Sequence, residues 1–183
     1  MNPWIIAAII AGVIILLVVF LYNSLIRLRN QVRNSWAQID VQLKRRSDLI
    51  PNLVESVKGY MKHEKTVLEN VTRARAAMAS AGSMSEKAKA SNMLSDTLKS
   101  LFAVSENYPQ LKANENFLQL QEEITGTENK ISYARQHYND MVMAFNTKIE
   151  VFPNNLISKT LDFKQEQPFA ATAEERKNVK VSF

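Results

Sequence analysis

Hydrophobic residues follow two different rules along this chain. From Ile5 to Leu21 the sequence is unbroken Ile, Ala, Gly, Val, Leu and Phe, and no charged residue stands between Pro3 and Ile26. As a helix, the stretch from Trp4 to Tyr22 is roughly 28 Å long, close to the ~30 Å thickness of a bilayer's hydrocarbon core. Trp4 and Tyr22 stand where interfacial aromatics belong. A cleaved signal peptide would have a basic start, a shorter apolar run and a small-residue cleavage site, none of which is present, so the pattern predicts a retained transmembrane anchor over 1–23.

Beyond the anchor the rhythm becomes periodic. Leu25, Val32, Trp36, Ile39, Leu43, Ile50, Leu53, Val57, Tyr60, Val67, Val71, Ala74 and Met78 recur in steps of three and four, a heptad seam. Pro51 interrupts the composition of this seam but not its phase. The spacing therefore predicts one helix running through the proline, with the carbonyl of Ser47 left without its amide, instead of a helix that starts at residue 51. The rod is expected to stop near Gly82, read as a left-handed C-terminal residue. Ser83 followed by Glu86 forms a capping box for a second helix, Met84 to Asn107. Pro109 ends that element. A third helix starts near Asn114, carries Phe117, Leu120, Ile124, Thr127, Ile131, Ala134, Tyr138, Met141, Phe145 and Phe152, and is closed by Pro153, with a short helical turn at 155–161. The remaining residues lack a sustained period and read as an extended tail pinned by Phe163 and Phe169. The expected fold is all-α: an N-terminal transmembrane helix followed by an antiparallel up-and-down bundle of long, coiled-coil-like helices, with the bundle over 24–162 and the tail over 163–183.

Charge orients this arrangement. Arg27, Arg29 and Arg33 crowd the carboxyl flank of the apolar run with no acidic residue before Asp40. The positive-inside rule leaves the N-terminus outside and the bundle in the cytoplasm. The same arginines are candidates for anionic lipid headgroups, or serve only to fix topology. A net charge of +5, from 23 Lys+Arg against 18 Asp+Glu spread along the chain, gives no nucleic-acid footprint.

Catalytic and metal signatures are missing from the sequence. There are no cysteines and two histidines. His63-Glu64 opens like a zincin helix, but Val67 occupies the place of the second histidine. No Glu-x-x-His pair, Gly-rich phosphate loop or G-x-S-x-G turn is present. Neither catalytic, metal nor cofactor-binding residues are assigned. Two charges do fall on the seam, Arg46 and Glu64. Each is expected either to meet an opposite charge on another helix or to snorkel from an exposed edge. Gly126, at mid-element in the third helix, either admits a close neighbour or is a tolerated surface glycine.

The segments "YNSLIRLRNQVRNSWAQIDVQLKRRSDLIPNLVESVKGYMKHE" (22–64), "ENYPQLKANENFLQLQEEITGTENKISYARQHYND" (106–140) and "FP" at 152 resemble the bacterial LemA family over nearly the whole chain. The resemblance implies a single-pass bacterial membrane protein with an up-and-down helical bundle and no established catalytic site. One relative, a magnetosome protein, works in membrane remodelling.

The first helix, read from Leu25 to Met78, is roughly 80 Å long and the second only about 36 Å. A membrane-proximal stripe with Trp36, Ile39 and Leu43 would then lack cover from its nearest neighbour in sequence, and a bare apolar stripe needs a partner. The expected role is a membrane-anchored scaffold at the bacterial cytoplasmic membrane. It would self-associate or dock other membrane proteins through Trp36, Ile39, Leu43, Arg46 and Glu64, and act in membrane organisation or remodelling. The alternative is a monomeric adaptor that regulates a membrane enzyme or protease.

Overall fold

The computed structural model describes residues 2–169, and among them the chain is helical with no strand. The described residues form six helices: α1 (Pro3–Lys58), α2 (Lys65–Ser80), α3 (Met84–Ser105), α4 (Pro109–Lys112), α5 (Glu115–Glu150) and α6 (Asn154–Thr160). The all-α expectation holds. The expectation on the anchor meets a matching helix, since α1 contains a stretch long and apolar enough to cross a membrane. The larger apolar side chains from Trp4 to Phe20 are exposed on it. The C-terminal end of the expected tail, from residue 170, lies outside the described residues.

α1 is one uninterrupted helix through Pro51, so phase, not composition, is the better guide there. It ends earlier than the heptad count implies. The rod does not reach Met78: the chain leaves the helix at Gly59 and re-enters at Lys65. Between them Met61 donates its amide to Val57 O and Glu64 to Met61 O, which closes a compact turn. Met61 itself is fully buried and caps the core from that turn. The seam phase survives because the turn happens to return α2 with Val71, Ala74 and Met78 facing inward.

The described residues group into two compact units, one of residues up to 38 with 135–168, the other of 39–134 with Phe169. In the second unit the end of α1, then α2, α3 and the first half of α5 form an up-down-up-down bundle. Its side-chain pairs set the directions. Arg75 of α2 reaches back to Ser47, Asp40 pairs with Lys87 and Arg46 with Ser91 and Ser95 of α3. Tyr60 meets Asn114 while Arg46 meets Glu128, so α5 runs opposite to α1. Ile50, Leu53, Val57, Met61, Val71, Ala74, Leu94, Leu98, Leu101, Leu111, Phe117 and Ile124 make one core.

Local signals position these helices. The capping box at α3 is formed as the sequence predicts, with Ser83 Oγ accepting from the Glu86 amide at 3.2 Å and Glu86 Oε2 accepting from Ser83 N–H at 3.1 Å. Gly82 is not in the left-handed region. Its amide instead donates to Glu86 Oε2 at 2.9 Å, so the carboxylate, not a reversed backbone, closes the loop. These amide bonds hold the Glu86 carboxyl below its ordinary range. Asn114 caps α5 by accepting from the Phe117 amide at 3.2 Å.

In the first unit, the start of α1 is joined by the second half of α5, α6 and the following segment. Leu21, Leu25, Val32, Val142, Phe145 and Ile149 are buried there. Trp36 packs edge-on against Tyr138, ring centroids 5.6 Å apart.

Candidate functional site

The second unit buries a charge in its interior. Arg46 is 0% exposed, and α1 delivers it at a seam position where an apolar residue is the rule. α3 answers with two small hydroxyls a turn apart, and α5 with a carboxylate. Arg46 Nη2 donates to Ser91 Oγ at 2.9 Å and to Ser91 O at 3.1 Å. Nη1 donates to Ser95 Oγ at 2.9 Å and to the Glu128 carboxylate. Ser95 Oγ in turn donates to Glu128 Oε1 at 2.7 Å. Burial lowers the Arg46 pKa, and the Glu128 charge and hydrogen bond oppose that shift. Three helices are thus pinned at one level by a single guanidinium. Both terminal nitrogens bond inside the protein while Nε has no partner, and solvent reaches the cluster only at the Glu128 carboxylate, so the cluster acts as a register lock.

The second seam charge behaves differently. Glu64 is half-buried at the start of α2, where it stands as the N-cap. Its partner is a phenol, not a cation: Tyr108 Oη donates to Glu64 Oε1 at 3.3 Å. Burial and this carboxylate raise the Tyr108 pKa. A carboxylate at a helix N-terminus answers the helix dipole, and that explains a charge on the seam without any interhelical ion pair.

The apolar stripe is not bare. Ile39 and Leu43 are buried at 0% and 1% exposure, and Trp36 is half-covered with its ring on Tyr138. The expectation of an open docking stripe fails because it measured cover against the second helix alone. The third helix is long enough to follow α1, and the pairing of Trp36 with Tyr138 shows it doing so.

Of the candidate headgroup arginines, Arg27 and Arg33 are exposed. Arg29 is engaged within the first unit, with its guanidinium 5.2 Å from the centre of the Phe163 ring. Phe163 also meets Tyr22 edge-on at 6.5 Å and Phe145 at 6.4 Å. The segment that follows is held by Asn146, whose amide group accepts from Glu166 N–H and donates to Glu166 O, both at 2.9 Å. Tyr138 Oη donates to Gln167 O at 2.9 Å. A side-chain amide that reads a peptide group in this way substitutes for a strand partner, so an extended segment is fixed without a sheet.

Sequence reasoning missed Ser91, Ser95, Glu128, Arg75 and Asn146. Ser91 had a signal, a hydroxyl standing one step before Leu94 on the apolar face that Leu94, Leu98 and Leu101 continue, with Ser95 a turn farther on. Arg75 had one too, because the orphaned Ser47 carbonyl demanded a donor. Asn146 had none. Among the described residues no group of three His, Asp or Glu side chains is placed to hold a metal ion.

With this geometry in hand, comparison with known proteins gives two matches. A model described as the LemA family matches residues 35–183. The chain is also 28% identical over 161 residues to a protein LemA of Metamycoplasma hominis, covering 87% of this chain and 74% of that relative. These matches and the exposed apolar start of α1 fit a membrane-associated helical protein.

Proposed function

The chain belongs to the LemA family, and on that premise we propose that it is a membrane-anchored helical protein that docks other proteins at the bacterial cytoplasmic membrane and performs no catalysis itself. The observation that carries this reading is the exposed apolar run of α1 from Trp4 to Phe20. In water such a face costs roughly 25 cal/mol for each Å² exposed, whereas in hydrocarbon it costs nothing. The hydrogen bonds from Arg46 Nη1 and Nη2 to two other helices support a structural role for this fully buried charge. The cover over Ile39 and Leu43 favours docking by a monomer, the adaptor form of the role, over self-association through that stripe.

The test is photo-crosslinking in native membranes from a probe at Tyr133, which is 73% exposed on α5. Adducts with other proteins, from a chain that alkaline washing does not release from the membrane, are the expected result. A ladder of self-adducts would favour a self-associating scaffold. Release by alkaline washing would overturn the membrane anchor and with it the reading.

A further inference from the structure

We propose that the corner between α5 and α6 is a second membrane-seated element, dipping into the interfacial zone of an anionic bilayer beside the transmembrane start of α1. This rests on the reading of α1 as an anchor.

The corner is inside out for a surface in water. α6 buries Asn154 and Ser158, while Leu156 is 60% exposed; just outside the helix, Val151, Phe152 at 78% and Leu161 are exposed as well. Single exposed apolar residues are ordinary, but four large ones within residues 151–161 around a seven-residue helix are not. The reversed polarity also has a local cause. Ser158 Oγ donates to Ile149 O at 2.7 Å, closing the end of α5 with the polar side of α6, and that leaves the apolar side outward.

The level of the corner is set within the same unit. α1 and α5 run antiparallel from the Trp36–Tyr138 contact. Descending α5 from Tyr138 to Glu150 covers about 18 Å, and so does stepping back along α1 from Trp36 to Ser24. The corner therefore lies beside Tyr22, where the apolar run ends. Two further observations agree. Phe163, returning from the corner, meets the Tyr22 ring, and Leu21 is buried whereas Phe20 is exposed, so the protein's own cover of α1 stops at that level.

Chemistry at the rim completes the match to a lipid surface. Lys159 on α6 and Arg27 on α1 are exposed at the flank, and cations beside an apolar wedge suit anionic headgroups. An aqueous protein partner would meet the same wedge only if it too lay at the bilayer surface, and the bilayer is already there.

The full chain tests this directly, because Trp4 and Trp36 are its only tryptophans. In a Trp4→Phe, Trp36→Phe background, Phe152→Trp and separately Leu156→Trp would be reconstituted in phosphatidylcholine–phosphatidylglycerol bilayers whose lipids carry bromine on the upper acyl chain. Both probes are expected to lose most of their emission relative to the same proteins in unbrominated bilayers, where their maxima lie to the blue of free tryptophan in buffer. The Trp36→Phe protein, which retains Trp4, reports the anchor. Quenched Trp4 with unquenched probes at both 152 and 156 would overturn the second contact while leaving the anchor intact. If Trp4 is unquenched too, the anchor reading itself fails and the proposal falls with it. Two probe positions guard against one substitution that disturbs the corner.

Discussion

Pro51 takes one amide out of α1, and the carbonyl it would have satisfied, Ser47 O, accepts instead from Arg75 Nε at 3.1 Å. Ser47 is buried, so without that donor its carbonyl would be stranded at about 1–3 kcal/mol. Replacing Arg75 by Leu is expected to cost about that much by thermal melting of the detergent-solubilised protein. In a Pro51→Ala background the amide at 51 takes over the carbonyl, and the same replacement is expected to cost at least about 1 kcal/mol less. Equal costs in the two backgrounds would mean the guanidinium is not serving the proline. The Arg46 cluster gives a second asymmetry. Glu128 is 38% exposed at its side chain and Arg46 not at all. Glu128→Ala leaves a dry charge with only hydroxyls and a carbonyl and should cost about 3–5 kcal/mol, whereas Arg46→Met leaves a carboxylate that water reaches and should cost clearly less. A larger loss for Arg46→Met would show that packing, not desolvation, governs the site. The sequence made Arg46 conspicuous because a charge on a seam demands a partner. Which partner was not legible, since Ser91, Ser95 and Glu128 meet it only after three helices have assembled.

Among the elements, most helices were legible, but α1 and α2 were read as a single rod and the short α4 was missed. Periodicity identified α1 through Pro51, the capping box placed the start of α3 at Met84, and Pro153 marked the end of α5. The turn at 59–64 was invisible to the heptad count because the hairpin it forms brings α2 back in phase. Composition did carry the break, in Gly59 and in the run Lys62-His63-Glu64-Lys65, where Glu64 takes the N-cap position of α2 and accepts from Tyr108 instead of meeting a cation. The mid-helix Gly126 illustrates the limit from the other side. Its spacing fits either a close helix contact or an indifferent surface position, and a Cβ built there meets nothing within 4 Å. No neighbour needs the missing side chain, so Gly126→Ala is expected to stabilise α5 by about 0.5–1 kcal/mol through helix propensity and chain entropy. Calorimetry would register this as a rise of about 2–4 °C per kcal/mol. A fall in melting temperature would mean that α5 has a partner at this face.

For the whole molecule, on the proposed reading of α1 as an anchor, the open quantity is direction across the bilayer, and there a few charges decide. Moving an arginine through hydrocarbon costs about 2.5–3.5 kcal/mol even on the lenient scale of translocon insertion. Arg27, Arg29 and Arg33 lie just past the apolar run, whereas residues 1–4 carry no charged side chain. Arg29 is further committed to the Phe163 ring, which ties one of these charges to the folded part of the chain. The expected arrangement is therefore an outer N-terminus and an inner bundle. The chain has no cysteine, so single probes report without background. In intact cells an impermeant maleimide should label Asn2→Cys, and it should label Tyr133→Cys only after lysis. Replacing Arg27 and Arg33 by Gln, which leaves the Arg29–Phe163 contact in place, should produce a mixed population in which some Tyr133→Cys becomes reactive from outside. If Tyr133→Cys is labelled in intact cells while the arginines are present, orientation is not set by this flank, and docking partners must be sought on the outer surface.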